Sequence, residues 1–145
     1  MINDIHDLGL VLDSKVKLVV IESWDERRVL ETLTSLAVKR GLGLYTWAVT
    51  EGLQRLGFAA DMSEESASLE PEAALKLIKH DPQPNLYVLC DLHPFLVDNP
   101  KLVRLLKEIA LAEGAHKPTL VLVSHALKLP VEVQRYAARF ALALP

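Results

Sequence analysis

Residues 16–28 read Val16-Lys17-Leu18-Val19-Val20-Ile21-Glu22-Ser23-Trp24-Asp25-Glu26-Arg27-Arg28. The β-branched run at 16–21 has the composition of a strand covered on both faces, the habit of parallel sheets packed between helices. Directly after it, Val29, Leu30, Leu33, Leu36 and Ala37 recur at helical spacing and predict a helix over 25–39, with Gly41 at its stop. The turn between the two elements is the informative part. A phosphate-cradling turn at this place needs glycines, so that backbone N–H groups approach the anion, together with a lysine and a hydroxyl. Residues 22–28 offer Glu22, Asp25 and Glu26 instead, with neither glycine nor lysine.

Outward from this stretch the same alternation continues. Ile5, Leu8 and Leu12, behind an Asn3 cap, predict a short helix ahead of the first strand. Residues 44–49 form a second strand, followed by a helical turn around Leu53 and Leu56. Residues 59–72 collect Asp61, Glu64, Glu65, Glu70 and Glu72 without a lysine or arginine, which marks an exposed acidic loop. Pro71 opens a helix buried through Ala74, Leu75 and Ile78, and two prolines at 82 and 84 break the chain before a third strand at 86–90. Leu102, Leu105, Leu106 and Ile109 define one face of a helix ending at Gly114. A fourth strand follows at 119–123, then a helix from Pro130 containing Val133, Tyr136 and Ala137, then a fifth strand at 140–144. Strands alternating with helices predict a three-layer, doubly wound α/β domain with a five-stranded parallel sheet, one domain over 1–145.

Half of the 145 residues are apolar, enough for a sizeable core without disulfides or a structural metal. The net charge of -3 gives no dominant polyanion-binding surface, so nucleic acid is not an expected partner. Cys90 is a lone cysteine in an apolar strand and reads as a buried, inert thiol. Residues 1–7 carry no basic segment leading into an apolar run, and no stretch approaches the roughly 20 apolar residues of a membrane helix. The expectation is a cytoplasmic protein without membrane association.

Ligands of such sheets bind beyond the carboxyl ends of the strands, which singles out Glu22 and Ser23, Asp91 and His93, and Ser124 and His125. An apolar strand ending in aspartate, as at Asp91, is how nucleotide hydrolases hold magnesium. The next residue is Leu92, so the glutamate that would polarise an attacking water is missing.

Here the chain resembles a family. The segments Cys90-Asp91-Leu92-His93-Pro94-Phe95-Leu96, residues 102–110, Leu120-Val121-Leu122-Val123-Ser124-His125, Leu129-Pro130 and Ala137-Ala138-Arg139-Phe140 look like the N-terminal region of AAA+ ATPases of cyanobacteria, algal plastids and many other bacteria. Residues 3–8 and 20–23 fit the same pattern, so the likeness covers nearly the whole chain. It implies a degenerate nucleotide-binding core without its phosphate loop, followed in the parent protein by a competent AAA+ module that binds ATP and magnesium. For this chain it implies no cofactor, no catalytic residue and no metal. Carried over residue by residue, Asp91 matches the magnesium-binding acid and Ser124 the polar sensor on the fourth strand, both vestigial as cofactor contacts. Arg135 or Arg139 matches the arginine that reaches a neighbouring subunit's phosphate. The partners so implied are the downstream module and neighbouring subunits.

Charge argues the same way about nucleotide. Phosphates placed beside Glu22, Asp25 and Glu26 meet like charges, each close contact costing on the order of 1 kcal/mol near a surface. Trp24, directly after the first strand, either plugs the former cleft or meets a partner, whereas Trp47 reads as core. An alternative reading is a small metal-dependent enzyme in which Asp91, His93 and His125 converge at the strand ends, with Glu22 as a fourth ligand. A receiver-like signalling domain fits less well: Glu22-Ser23 supplies one acid where two are needed, and no lysine follows Phe140.

Overall fold

The computed structural model describes residues 2–56, 69–114, 117–125 and 128–141. Helix α1 (Ile2–Leu12) precedes strand β1 (Leu18–Glu22), helix α2 (Glu26–Arg40), strand β2 (Leu44–Ala48) and strand β3 (Gly52–Arg55). Helix α3 (Pro71–Lys79), strand β4 (Leu86–Cys90), a 3-10 turn at His93–Phe95, helix α4 (Pro100–Ala110), strand β5 (Thr119–Ser124), helix α5 (Val131–Gln134) and strand β6 (Ala137–Ala141) follow.

One six-stranded sheet in the order β3-β2-β4-β5-β1-β6 forms the middle layer. All its pairings are parallel except β2 with β3. The α/β class stands, and the sheet differs from expectation at both edges. Leu53 and Leu56, three residues apart, mimic helical spacing, yet Leu53 lies opposite Trp47 in an antiparallel hairpin. Gly52 at φ 74 closes its three-residue loop, a left-handed position that costs glycine nothing. At the other edge the last strand begins at Ala137, earlier than 140, because Leu18 to Glu22 offer a free ladder to 137–141. Residues 142–144 of the expected strand and most of the acidic loop lie outside the described residues.

Alternation along each strand splits the core into two layers. Leu18 and Val20 pack with Trp47, Leu89, Leu106, Leu120 and the buried sides of α3, α4 and α5. Val19 and Ile21 face the other way, onto Leu8 of α1 and Val29, Leu33 and Leu36 of α2. This is the three-layer arrangement, with both sheet faces dry. Pro71 occupies the first-turn position read for it, and the structure adds two side-chain caps: the Asp25 and Asn99 side chains accept from the Arg28 and Leu102 N–H groups, with Pro100 in the first turn of α4. Gly41 ends α2 in the left-handed conformation, while α4 stops at Ala110, ahead of Gly114. Asn3 lies inside α1, which starts at Ile2, and so is no cap. Arg40 ties α1 to α2, its Nε and Nη2 donating to the two Asp13 carboxylate oxygens at 2.6 and 2.9 Å.

Candidate functional site at the carboxyl edge of the sheet

Parallel pairing brings the ends of β1, β4 and β5 side by side. Glu22 lies opposite Ser124 in the ladder, and the Asp91 N–H donates to the Val123 carbonyl at 3.0 Å. The residues picked out at strand ends are therefore neighbours, with Glu22 placed also against Ala141 of β6.

The turn after β1 is closed by its own side chains. The Asp25 N–H donates to Ser23 Oγ at 3.1 Å, and the Arg28 N–H donates to Asp25 Oδ1 at 3.1 Å. A carboxylate thus sits at the first turn of α2, where the helix dipole and unpaired N–H groups favour an anion. Glu22 is engaged as well, in an ion pair with Arg139 across the β1–β6 ladder. Arg139 is accordingly held by its own chain, and Arg135 stands exposed with its guanidinium 5.7 Å from the Tyr136 ring centre.

Above this turn, Trp24 is 75% exposed and stacks on the His125 ring, centroids 4.1 Å apart and planes at 22°. His125 in turn meets His93 edge-on at 6.0 Å. His93 Nδ1 is hydrogen-bonded to Ser124 Oγ at 2.9 Å. These contacts make a continuous row, Trp24–His125–His93–Ser124, across the ends of β1, β5 and β4.

The row has the parts of a serine–histidine pair without its working geometry. Ser124 is only 2% exposed, so no substrate carbonyl reaches its oxygen. Asp91 is exposed and takes a left-handed backbone, φ 55. Among the described residues no three His, Cys, Asp or Glu side chains are placed to hold one metal ion, so the convergence of Asp91, His93 and His125 that the alternative metal-enzyme reading requires does not occur. The reason is local: His125 is turned under Trp24 and His93 onto Ser124, leaving each imidazole committed to a different neighbour.

Cys90 closes the floor of the edge. Burial pushes its thiol above the ordinary range, and the Glu26 and Asp91 carboxylates nearby push it further the same way. It stays a neutral thiol, which fits the inert role read from its apolar strand. Among the described residues no helix is long and apolar enough to cross a membrane.

Spacing alone pointed to the strand-end residues but not to their pairing. The Trp24–His125 stack depends on β5 lying beside β1, a neighbourhood set by the strand order rather than by adjacency in the chain. Compared with known proteins, residues 4–142 match the model of the family described as SpoVK-like AAA ATPase, N-terminal domain. No curated protein matches the chain.

Proposed function

This chain belongs to the family of SpoVK-like AAA ATPase N-terminal domains, and on that premise we propose that it is a non-catalytic module. It serves assembly, regulation or target recognition for a downstream AAA+ module, and ATP and magnesium belong to that module. One observation carries this reading: the first turn of α2, where a nucleotide's phosphates have to sit in such a sheet, is taken by the protein's own Asp25 carboxylate. An incoming phosphate has to displace that cap and meet Glu26 and Glu22 beside it, Glu22 being paired with Arg139.

The partner surface is the same edge. Trp24 is a large, preorganised apolar ring standing in solvent on a stacked histidine, the kind of side chain that dominates binding when a partner desolvates it. Arg135, exposed just ahead of β6 at the neighbouring sheet edge, supplies charge for a downstream module or a neighbouring subunit, and Arg139 within β6 does so only by exchanging its Glu22 partner.

The test is a titration of the isotope-labelled chain with magnesium-ATP to millimolar concentration, followed at the backbone amides of 22–28. The expected outcome is no saturable shift at these amides. Micromolar, magnesium-dependent binding reported by them overturns the reading. Gel filtration of the chain alone and joined to its downstream module then tests assembly: a Trp24→Ala change is expected to weaken association of the joined form, and unchanged association removes Trp24 from the interface.

A further inference from the structure

The opposite end of the sheet holds a cavity that the reading above leaves unused. At the amino ends of β1 and β5 lies a cavity of ≈ 1040 Å³ edged by Asp13, Lys15, Lys17, Arg40, Glu113 and Lys117. Four cations there face two carboxylates. Arg40 and Asp13 satisfy each other, and Arg40 Nη2 also donates to the Gly9 carbonyl at 3.1 Å. Among the described lining residues, three lysines then remain against Glu113, an excess of positive charge in a half-open cavity.

Lys17 is the telling member. It is 8% exposed, and among the described residues its ammonium has one hydrogen bond, to the Lys117 carbonyl at 3.3 Å, and no carboxylate partner. A largely buried lysine whose ammonium lines the cavity has donors left to offer an anion there. Lys117, whose backbone carbonyl Lys17 holds, also lines the cavity. Leu12, Leu42, Pro84 and Ala112 give the cavity an apolar side, and its volume suits an organic molecule rather than a bare ion.

We propose that this cavity binds a small phosphomonoester, its phosphate seated on the Lys17, Lys117 and Lys15 ammonium groups and its organic body on the apolar wall. Lysine fits this role because a compact point charge grips a tetrahedral dianion, whereas a planar carboxylate is better met by an arginine fork, and Arg40, the arginine among the described lining residues, is already committed to Asp13. Burial holds the Lys17 ammonium below the ordinary lysine range in the unliganded protein, so a seated anion also relieves a cost already present. The site is independent of the carboxyl-edge reading, and its failure leaves that reading intact.

The experiment titrates the isotope-labelled chain with phenyl phosphate, inorganic phosphate and benzoate, against sodium chloride at equal ionic strength. Expected are saturable shifts at the amides of Lys17, Gly114, Lys117 and Thr119, with phenyl phosphate binding most tightly and the amides of 22–28 unmoved. Lys17→Met, which keeps the stem and removes the ammonium, is expected to stay folded and to weaken phenyl phosphate by about tenfold or more. Should that variant not fold, the surface pair Lys15→Gln and Lys117→Gln is expected to weaken binding comparably. No saturable shift, shifts that chloride reproduces, benzoate binding as tightly as phenyl phosphate, or unchanged affinity in the folded lysine variants each overturns the assignment.

Discussion

Cys90, Tyr87 and Lys17 are three buried groups whose protons differ between the folded and unfolded chain. Burial raises Cys90 from an ordinary 9.0 and Tyr87 from 10.0, the latter helped by its hydroxyl donating to Asp81 Oδ2 at 2.6 Å. Above pH 9 the unfolded chain releases these protons while the folded chain keeps them, so stability present below that pH is lost as pH rises. Lys17 works in the opposite direction. Its pKa is lowered from 10.5 by burial, so the folded chain sheds that proton first and gains stability as pH climbs toward 10.5. Two groups against one predict a net fall between pH 9 and 11, each proton contributing a slope of at most about 1.4 kcal/mol per pH unit. In urea unfolding, Cys90→Ala should flatten the onset near pH 9 and Lys17→Met should steepen the loss; wild type and Cys90→Ala running parallel across this range contradict the account. A second prediction at this scale concerns the two indoles, one 75% and the other 1% exposed. Acrylamide should quench wild-type fluorescence strongly, and Trp24→Phe, which leaves only Trp47, should be nearly resistant.

Single elements show where local chemistry decided structure and where it did not. Helix α2 is bounded by Asp25 at one end and a left-handed Gly41 at the other; its span and its stop were readable from the apolar period and the glycine, whereas the Asp25 cap is seen only in the structure. Asp25→Ala is expected to cost about 1 kcal/mol in urea unfolding and Asp25→Asn much less, since asparagine caps nearly as well. In the β2–β3 hairpin, Gly52→Ala forces a Cβ into φ 74 and should cost about 1 kcal/mol or more. β3 escaped notice because Leu53 and Leu56 carry helix-like spacing, and what makes them extended is Trp47 across the turn, a partner the local pattern does not contain. β6 was placed late for a related reason: Ala137, Ala138 and Arg139 favour helix, and only pairing with Leu18 to Val20 of β1, more than a hundred residues earlier, overrides them. The candidate site divides likewise. Glu22, Asp91, Ser124 and His125 were legible as strand ends, because a parallel sheet puts strand ends on one edge. The Arg139–Glu22 pair and the lysine-lined cavity were not, since Lys17 and Lys117 meet only through the order of the strands. The one local hint was a lysine placed inside the apolar run that opens β1.

At the scale of the molecule, β1 is the strand on which everything converges. It is hydrogen-bonded to β5 on one side and β6 on the other, it contributes Leu18 and Val20 to one core layer and Val19 and Ile21 to the other, and its two ends border the two candidate sites. A shared strand means that neither layer can open without loosening the other, so the two unfold as one cooperative unit. Leu33 on α2 and Leu106 on α4 are both fully buried, one in each layer. Leu33→Ala and Leu106→Ala should each destabilise by about 2–5 kcal/mol, the lost transfer energy plus that of the cavity left behind. Because the sheet separates the two sites and they share no neighbour in the core, their effects should add within about 0.5 kcal/mol in the double variant. In urea, each single variant should move the midpoint and leave the slope unchanged, which is the mark of a lowered stability rather than an altered folded state. A biphasic transition in either variant, one phase reported by Trp47 in the first layer and the other by amide exchange of α2 in the second, would mean that β1 does not couple the layers.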